Sequence, residues 1–186
     1  MRLFAAIDIP ESIREALIQT VQKLKPTARA RWSKPENLHI TTKFLGEVPT
    51  AKLDAVIAAL RAMPAAEPIP IEVRGFGWLP NPKSPRLLYA GIQAPEWLGQ
   101  LHLRTDQALT PLGVPAETKP YRPHLTIARL DARLDLSALR QAILHLPPVP
   151  FGGFTADRFH LYESLTGGSG SVYRKLAEFL SGHRLC

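Results

Sequence analysis

Two stretches decide the fold of this chain: RWSKPENLHITTKFLGEV at residues 31–48 and YRPHLTIARL at residues 121–130. Each places the tripeptide His-x-Thr, at His39 and at His124, inside an apolar run that is typical of a β-strand. In each half of the chain a helical pattern follows this strand, and two later strands are joined by a Pro-rich or Gly-rich turn. This repeated order indicates a diverged duplication. We therefore predict an α+β fold made of two pseudo-symmetric lobes.

The other elements follow from hydrophobic periodicity and from the 18 prolines, most of which lie between elements. Besides the two His-x-Thr strands, we predict strands at residues 2–7, 69–79, 86–92, 154–165 and 171–179. We predict helices that begin near residues 10, 50, 96 and 135 and end before prolines 26, 64, 111 and 147. The end of the last strand segment fits a helix equally well.

Length, charge and cysteine content limit the classes of function. The 186 residues fit a single bilobal domain, 1–186, and the net charge of +7 favours a polyanionic ligand. The single cysteine, Cys186, allows neither an intramolecular disulfide nor a thiolate metal cluster, which agrees with a reducing cytoplasm. The first apolar run is short and contains Asp8, so we expect no signal peptide, no membrane segment and a cytoplasmic location. We also expect a monomer.

The paired motif has a specific chemical use. Alternation along a strand places His39, Thr41 and Lys43 on one face, and His124 and Thr126 likewise share a face of their own strand. A pseudo-twofold arrangement would bring the two imidazoles to opposite sides of one groove. One imidazole could then act as general acid and the other as general base in an in-line displacement at phosphorus, with no metal. The two threonine hydroxyls would hold the non-bridging oxygens.

Further substrate contacts are expected from nearby cations and from one aromatic residue. Lys43, Arg122 and Arg129 are candidates to neutralise the phosphate, and Trp32 is a candidate to stack on a base. Strand alternation points Arg129 away from His124, so it needs a bulge to join the reactive face. By the same alternation, Thr42 and Ile127 should face away from the groove.

Less specific interpretations compete with this one. Either motif alone fits ordinary strand composition, because threonine favours strands and histidine is tolerated in half-buried ones. A metal site is disfavoured, since each motif supplies one imidazole and threonine is a poor ligand. The glycine-rich segment at residues 167–171 lacks the spacing of a phosphate loop and is interpreted as a hairpin turn.

Together these residues resemble the 2′-5′ RNA ligase-like (LigT-like) branch of the two-histidine phosphoesterases. The similarity covers both motif blocks, the opening MRLFAAIDIP, the middle hairpin RGFGWLPNPKSPRLLYAGI and the C-terminal LYESLTGGSGSVY. It implies two facing antiparallel sheets with helices outside and both histidines in the cleft. It also implies His39 as proton donor, His124 as proton acceptor, Thr41 and Thr126 on the phosphate, and no cofactor.

The function that this resemblance implies is metal-independent hydrolysis of a terminal RNA 2′,3′-cyclic phosphate to a 2′-phosphate, as in bacterial members of the family. RNA ends, tRNA fragments among them, would be the partners. A 2′-5′ RNA ligase, a phosphodiesterase for small cyclic nucleotides and a non-catalytic basic RNA-binding module remain open alternatives. The first motif reads His-Ile-Thr-Thr where many members end in an apolar residue, but an outward-facing Thr42 makes this departure minor.

Overall fold

A computed structural model describes residues 1–64, 67–148, 150–167 and 170–180. Its strands are β1 (Arg2–Asp8), β2 (Arg31–Trp32), β3 (His39–Glu47), β4 (Ile69–Leu79), β5 (Leu87–Gln93), β6 (His124–Arg129), β7 (Pro150–Ala156), β8 (Arg158–Gly167) and β9 (Gly170–Leu180). Its α-helices are α1 (Glu11–Leu24), α2 (Leu53–Arg61), α3 (Trp97–Leu109) and α4 (Ser137–Leu144). None of these helices is long and apolar enough to cross a lipid bilayer.

The two His-x-Thr strands lie at the centre of the sheet. In the described part of the chain, eight strands follow the order β7-β4-β5-β6-β3-β1-β8-β9. The ninth strand, β2, pairs with β6, and all neighbours are antiparallel. A single residue pair, Ile40 opposite Leu125, joins β3 to β6 and so links the two halves of the sheet. The structure thus confirms the predicted α+β fold, with one antiparallel half-sheet in each lobe.

The helices cover the outer face of the sheet and exchange between the lobes. α1 contacts β7 in the second lobe, whereas α3 contacts β3 in the first. Ile13 and Leu17 on α1 are buried at the spacing that a helix face requires. Gly152 on β7 permits this close approach, because a Cβ there would lie 2.9 Å from Cγ1 of Ile13. The exchanged helices give both lobes one continuous hydrophobic core.

One predicted strand was wrong in extent. The segment predicted as a single strand at residues 154–165 is divided at Asp157 between β7, which pairs with β4, and β8, which pairs with β1. The two strands belong to different lobes, so the chain crosses the molecule at this residue. The Gly-rich turn does connect an antiparallel pair, β8 and β9, as predicted. Gly168, Ser169, His183 and Cys186 lie outside the described residues.

Candidate active site

The pairing of β3 with β6 brings the two motifs together. Because Ile40 lies opposite Leu125 in an antiparallel pair, Thr41 comes opposite His124, and His39 comes opposite Thr126. Ile40 and Leu125 are fully buried and point to the helices, whereas the His and Thr side chains point to the other face and are partly exposed. This other face, which carries both imidazoles and both hydroxyls, is called the cleft face below.

Each motif strand contains a β-bulge directly after its threonine. In the pairing of β3 with β1 the register skips Thr42, and in the pairing of β6 with β5 it skips Ile127. The bulge makes two consecutive residues buried on each strand, Thr42 with Lys43 and Ile127 with Ala128. The next residues, Phe44 and Arg129, return to the cleft face and are exposed. The same irregularity in both strands supports the interpretation of a duplication.

Side chains from neighbouring segments hold the first bulge. The Tyr121 hydroxyl donates to the carbonyl oxygen of Thr41 at 2.9 Å, and Nδ1 of His102 donates to that of Thr42 at 2.6 Å. The two rings are stacked with centroids 4.4 Å apart. Burial raises the pKa of Tyr121, so the phenol keeps its proton and acts as a donor. Carbonyl groups that the bulge removes from the ladder are therefore satisfied, and the backbone of the first motif is fixed.

Ser33 donates the corresponding hydrogen bonds to the carbonyl oxygens at the second bulge. The Ser33 hydroxyl donates to the carbonyl oxygen of Thr126 at 2.7 Å, and the Ser33 backbone N–H donates to that of Ile127 at 2.8 Å. The equivalent carbonyls of the two motifs therefore both receive hydrogen bonds, although from unrelated residues. The sequence carried no signal for these contacts, because Ser33 and Tyr121 become neighbours of the motifs only through the sheet pairing.

The imidazoles are oriented by backbone carbonyls two residues earlier. Nδ1 of His124 donates to the carbonyl oxygen of Arg122 at 2.7 Å, so Nε2 is the nitrogen left to exchange protons. Nε2 of His39 lies 3.1 Å from the Thr41 hydroxyl, and the ring also hydrogen-bonds the backbone of Asn37. Each motif thus presents one Nε2 atom beside the threonine hydroxyls.

Aromatic rings enclose His39. The ring of Phe4 stacks on the imidazole with centroids 4.8 Å apart, and Tyr173 meets it edge-on at 5.2 Å. Tyr162 stacks on Phe4 at 5.3 Å, and its ring centroid lies 6.4 Å from that of the imidazole. All three rings lie in stretches quoted above, Phe4 in MRLFAAIDIP and both tyrosines in LYESLTGGSGSVY, but none was predicted as a site residue. Phe4 could have been found from its position on the first strand, since every second residue of β1 shares the cleft face.

This enclosure changes the proton affinity of His39. Burial lowers its pKa from 6.5 to about 4, and a proton on His124 would act in the same direction. The hydrogen bond to the backbone of Asn37 and the charge of Asp8, which lies opposite His39 on β1, raise the pKa but do not offset burial. At neutral pH the enclosed His39 is therefore a neutral imidazole.

The environment of His124 is more open. Its ring meets Tyr89 edge-on with centroids 5.6 Å apart, and Tyr89 lies opposite Thr126 on β5. Gly77 leaves room for this tyrosine, because a Cβ at that position would lie 2.3 Å from the phenol ring. His124 is partly exposed, and the neighbouring Arg122 side chain extends into solvent. Arg122 therefore remains a candidate for contacting the substrate, while its carbonyl oxygen orients the imidazole.

The prediction that Lys43 shares the face of His39 and Thr41 is wrong. The bulge at Thr42 turns Lys43 toward the helices, where it is 4% exposed. Its Nζ donates to Oδ1 of Asp106 at 2.5 Å and to the carbonyl oxygen of Pro115 at 2.8 Å. Lys43 therefore anchors α3 behind the site and does not face the cleft.

The placement of Trp32 also contradicts its prediction as a base-stacking residue. Trp32 lies opposite Ala128, which is fully buried, and its indole packs against the core. Its Nε1 donates to the carbonyl oxygen of Ala28 at 3.3 Å. Arg129, in contrast, does lie on the cleft face. Strand alternation alone would have pointed it away from His124, but the bulge at Ile127 returns it to the side of His124.

The described residues contain no group of three or more His, Cys, Asp or Glu side chains arranged to hold a metal ion. One nitrogen of each imidazole is hydrogen-bonded to the backbone, and the neighbouring side chain on the same face of the strand is a threonine hydroxyl. This set of side chains suits proton transfer and oxyanion binding.

Comparison with known proteins identifies related chains. The family model described as the 2′-5′ RNA ligase superfamily matches residues 9–168. A protein of Methanocaldococcus jannaschii named RNA 2′,3′-cyclic phosphodiesterase is 35% identical over 179 residues, which cover 96% of this chain and 100% of the relative.

Solved structures are similar over nearly the whole chain. A crystal structure of a Thermus thermophilus protein superposes with a TM-score of 0.80 at 30% identity, covering 98% of this chain and 100% of that one. Escherichia coli LigT in complex with 3′-AMP superposes with a TM-score of 0.76 at 26% identity, covering 98% of both chains. These matches extend through both motif strands and both lobes.

Proposed function

This chain belongs to the 2′-5′ RNA ligase superfamily, and from that membership together with the site we propose that it is an RNA 2′,3′-cyclic phosphodiesterase. The observation that carries the proposal is the register of β3 and β6, which sets His39 opposite Thr126 and Thr41 opposite His124 on one face. Its substrates are RNA ends that carry a 2′,3′-cyclic phosphate, tRNA fragments among them. The enzyme acts as a monomer, since both motifs belong to one chain.

The reaction is an in-line displacement by water. Nε2 of His124 accepts a proton from the attacking water, and the water oxygen forms the new bond to phosphorus. The bond between phosphorus and the 3′-oxygen breaks on the opposite side, and Nε2 of His39 donates a proton to that oxygen. The product is a 2′-phosphomonoester with a free 3′-hydroxyl. After the reaction His124 is protonated and His39 is neutral, and proton exchange with solvent returns both imidazoles to their starting states.

The negative charge that develops on the non-bridging oxygens is stabilised by fixed donors. The hydroxyls of Thr41 and Thr126 lie beside the two imidazoles, and their backbones are held by the hydrogen bonds at the bulges. Arg129 on the cleft face, and Arg122 beside His124, supply positive charge. Because protein groups fill the acid, base and oxyanion-binding roles, the proposed mechanism requires no metal.

The proposed donor role requires that His39 gains a proton when substrate binds. Its pKa of about 4 leaves it neutral in the empty cleft at neutral pH. An anionic cyclic phosphate in contact with the ring favours the protonated form and offsets the cost of burial. Substrate binding and loading of the proton donor are therefore coupled.

Hydrolysis in EDTA tests the proposal directly. An RNA oligonucleotide ending in a 2′,3′-cyclic phosphate should be opened by the wild type to a 2′-phosphate, identified by phosphorus NMR. His39→Ala and His124→Ala should each lower kcat by about 10² to 10⁴, while His145→Ala, an exposed histidine at the end of α4, serves as the matched control. Absence of hydrolysis by the wild type, or full activity of either cleft variant, would contradict the proposal.

The two proton-transfer roles can be separated with a substrate whose bridging 3′-oxygen is replaced by sulfur. A thiolate leaves without needing a proton, so this substrate should restore much of the activity of His39→Ala. It should not restore His124→Ala, because activation of water is still missing. The opposite pattern of rescue would assign the donor role to His124.

A further inference from the structure

The first lobe contains a further imidazole that the proposed mechanism does not use. We propose that His160 on β8 is a positioning residue that shares the Asp8 carboxylate with His39 and thereby controls how readily His39 takes up the proton that it donates. This inference rests on the proposed function, because it assigns a partner to the proton donor of that reaction.

The sheet register places one carboxylate between two imidazoles. β1 lies between β3 and β8, and Asp8 on β1 is paired with His39 on β3. On the other side of β1, His160 is paired with Ala6, two residues before Asp8. Because residues two apart on a strand share a face, and paired residues do as well, all three side chains belong to the cleft face.

His160 is buried between two acidic side chains. The residue is 2% exposed, and its Nε2 lies 2.9 Å from Oε2 of Glu178 on β9. Its Nδ1 lies 3.4 Å from Oδ2 of Asp8, which is an ion-pair distance, although this nitrogen has no hydrogen-bond partner among the described residues. A neutral imidazole donates through one nitrogen, whereas an imidazolium donates through both. Only a protonated His160 can therefore serve both carboxylates, and its proton draws on the charge of Asp8.

Two further donors hold the Asp8 carboxylate in place. The Tyr162 hydroxyl donates to Oδ1, and Nζ of Lys175 donates at 2.9 Å to Oδ2, the oxygen that faces His160. Burial acts to raise the pKa of Asp8, but these hydrogen bonds and the charge of a protonated His160 hold it below its ordinary value. Asp8 is therefore ionised at neutral pH, and its charge favours the protonated form of His39.

The charged side chains linked to His160 include one more anion than cation. Glu178 pairs with Arg158 at 3.2 Å, and Arg158 also pairs with Asp157 at 2.9 Å. The helices packed nearby add two arginines at the border of this cluster, Arg14 of α1 and Arg61 of α2. The linked groups themselves are Asp8, Asp157, Glu178, Arg158 and Lys175. Three carboxylates and two cations leave one negative charge, which a proton on His160 cancels.

Sharing one carboxylate couples the two imidazoles with a definite sign. A proton on His160 offsets the charge of Asp8 and so disfavours a proton on His39. When His160 loses its proton as the pH rises, the charge of Asp8 becomes fully available to the His39 imidazolium. The donor then keeps its proton more strongly at higher pH, which extends the proposed reaction toward alkaline conditions.

NMR titration of the His39 imidazole in the substrate-free protein tests the coupling without turnover. His160→Gln removes the titrating charge and keeps an amide that can donate to Glu178, so it should raise the pKa of His39 by about 0.5 to 1 unit. In an Asp8→Asn background the same substitution should change this pKa by less than about 0.2 unit, because the shared carboxylate is gone. An unchanged or lowered pKa in His160→Gln, or an equal rise in both backgrounds, would overturn the inference.

His145→Gln is the matched control, because it makes the same substitution at an exposed histidine at the end of α4. It should leave the pKa of His39 unchanged, and a rise equal to that in His160→Gln would show a general effect of net charge and overturn the coupling. Lys175→Met is a second variant that leaves the buried residues in place, since Lys175 is 47% exposed and donates to the same oxygen of Asp8. It should also raise the pKa of His39, and a lowered value would count against the shared carboxylate.

Kinetics give a readout that a purely structural role would not produce. With the oxygen leaving group, His160→Gln should move the alkaline limb of the kcat profile upward by about 0.5 to 1 pH unit, with little change in KM. With the sulfur leaving group, which needs no proton donor, the profile should match that of the wild type. Equal changes with both substrates would show that His160 acts only on stability and would overturn the proposal.

The two kinds of measurement keep this coupling separate from the proposed function. If the NMR coupling is found but the wild type hydrolyses no cyclic phosphate, the shared carboxylate stands and the proposed reaction fails. If hydrolysis depends on both cleft histidines but His160→Gln leaves the pKa of His39 unchanged, the reaction stands and the shared carboxylate fails.

Discussion

Phosphate bound in the cleft should raise the pKa of His39 from about 4 toward the neutral range. Burial holds the pKa below its ordinary value of 6.5, and this difference corresponds to roughly 3 kcal/mol in favour of the neutral ring. One negative charge about 4 Å from the ring, at an effective dielectric constant of about 20, contributes about 4 kcal/mol in the opposite direction. A single phosphate anion is therefore sufficient to offset the effect of burial.

The sign of the pH dependence follows from this shift. The free protein protonates His39 only as the pH falls through about 4, whereas the phosphate complex should hold the proton at higher pH. Binding at a pH between the two pKa values must then take up a proton. Phosphate affinity should accordingly weaken as the pH rises through that window.

NMR titration of the imidazole resonances of His39, with and without saturating inorganic phosphate, measures both pKa values. Chloride at equal ionic strength controls for screening, and Asp8→Asn should lower both pKa values, since the Asp8 charge raises the pKa of His39. A His39 pKa that stays near 4 in the phosphate complex would refute the donor role at neutral pH. A value near 6.5 in the free protein would refute the effect of burial.

Two further predictions concern residues behind the cleft. Asp106→Asn should lower the free energy of unfolding, measured in urea, by about 3 kcal/mol, because it leaves the buried Lys43 charge without its carboxylate. Lys43→Met should lower the free energy of unfolding by less, since Asp106 still accepts a hydrogen bond from the backbone N–H of Glu117. Equal losses of stability in the two variants would contradict this explanation. Tyr121→Phe removes the donor to the Thr41 carbonyl and should lower kcat about tenfold with little change in KM, whereas loss of stability with unchanged kcat would show a purely structural role.

The sequence predicted the site as far as strand alternation holds. His39 with Thr41, and His124 with Thr126, are two residues apart on regular strands, so their shared faces could be derived without coordinates. Alternation fails after each threonine, because the register skips Thr42 on β3 and its counterpart on β6. These two bulges have no residue signature, because neither strand carries a glycine at the residue that the register skips.

Lys43 shows the consequence of that missing signal most clearly. A lysine two positions after a candidate phosphate-binding threonine looks like a phosphate ligand, and the charge alone gives no reason to bury it. Its partner, Asp106, is 63 residues away along the chain, on a helix whose packing against β3 depends on the whole fold. Long-range pairs of this kind are set by tertiary structure, and local patterns do not contain them.

The differences between the two motifs explain more of the proposed chemistry than their likeness does. Duplication of one strand motif supplies two Nε2 atoms, two hydroxyls and two bulges around a common point. A perfectly symmetric site, however, would give both imidazoles the same surroundings and would leave no basis for one to donate a proton while the other accepts one.

Divergence removed that symmetry in two places. His39 is enclosed by Phe4 and Tyr173, whereas His124 is partly open to solvent. The first bulge leads to the aromatic Phe44, and the second leads to the cation Arg129. In the proposed mechanism, these different surroundings distinguish the imidazole that donates a proton from the one that accepts a proton. The proposed assignment of acid and base therefore rests on the residues that the two halves do not share.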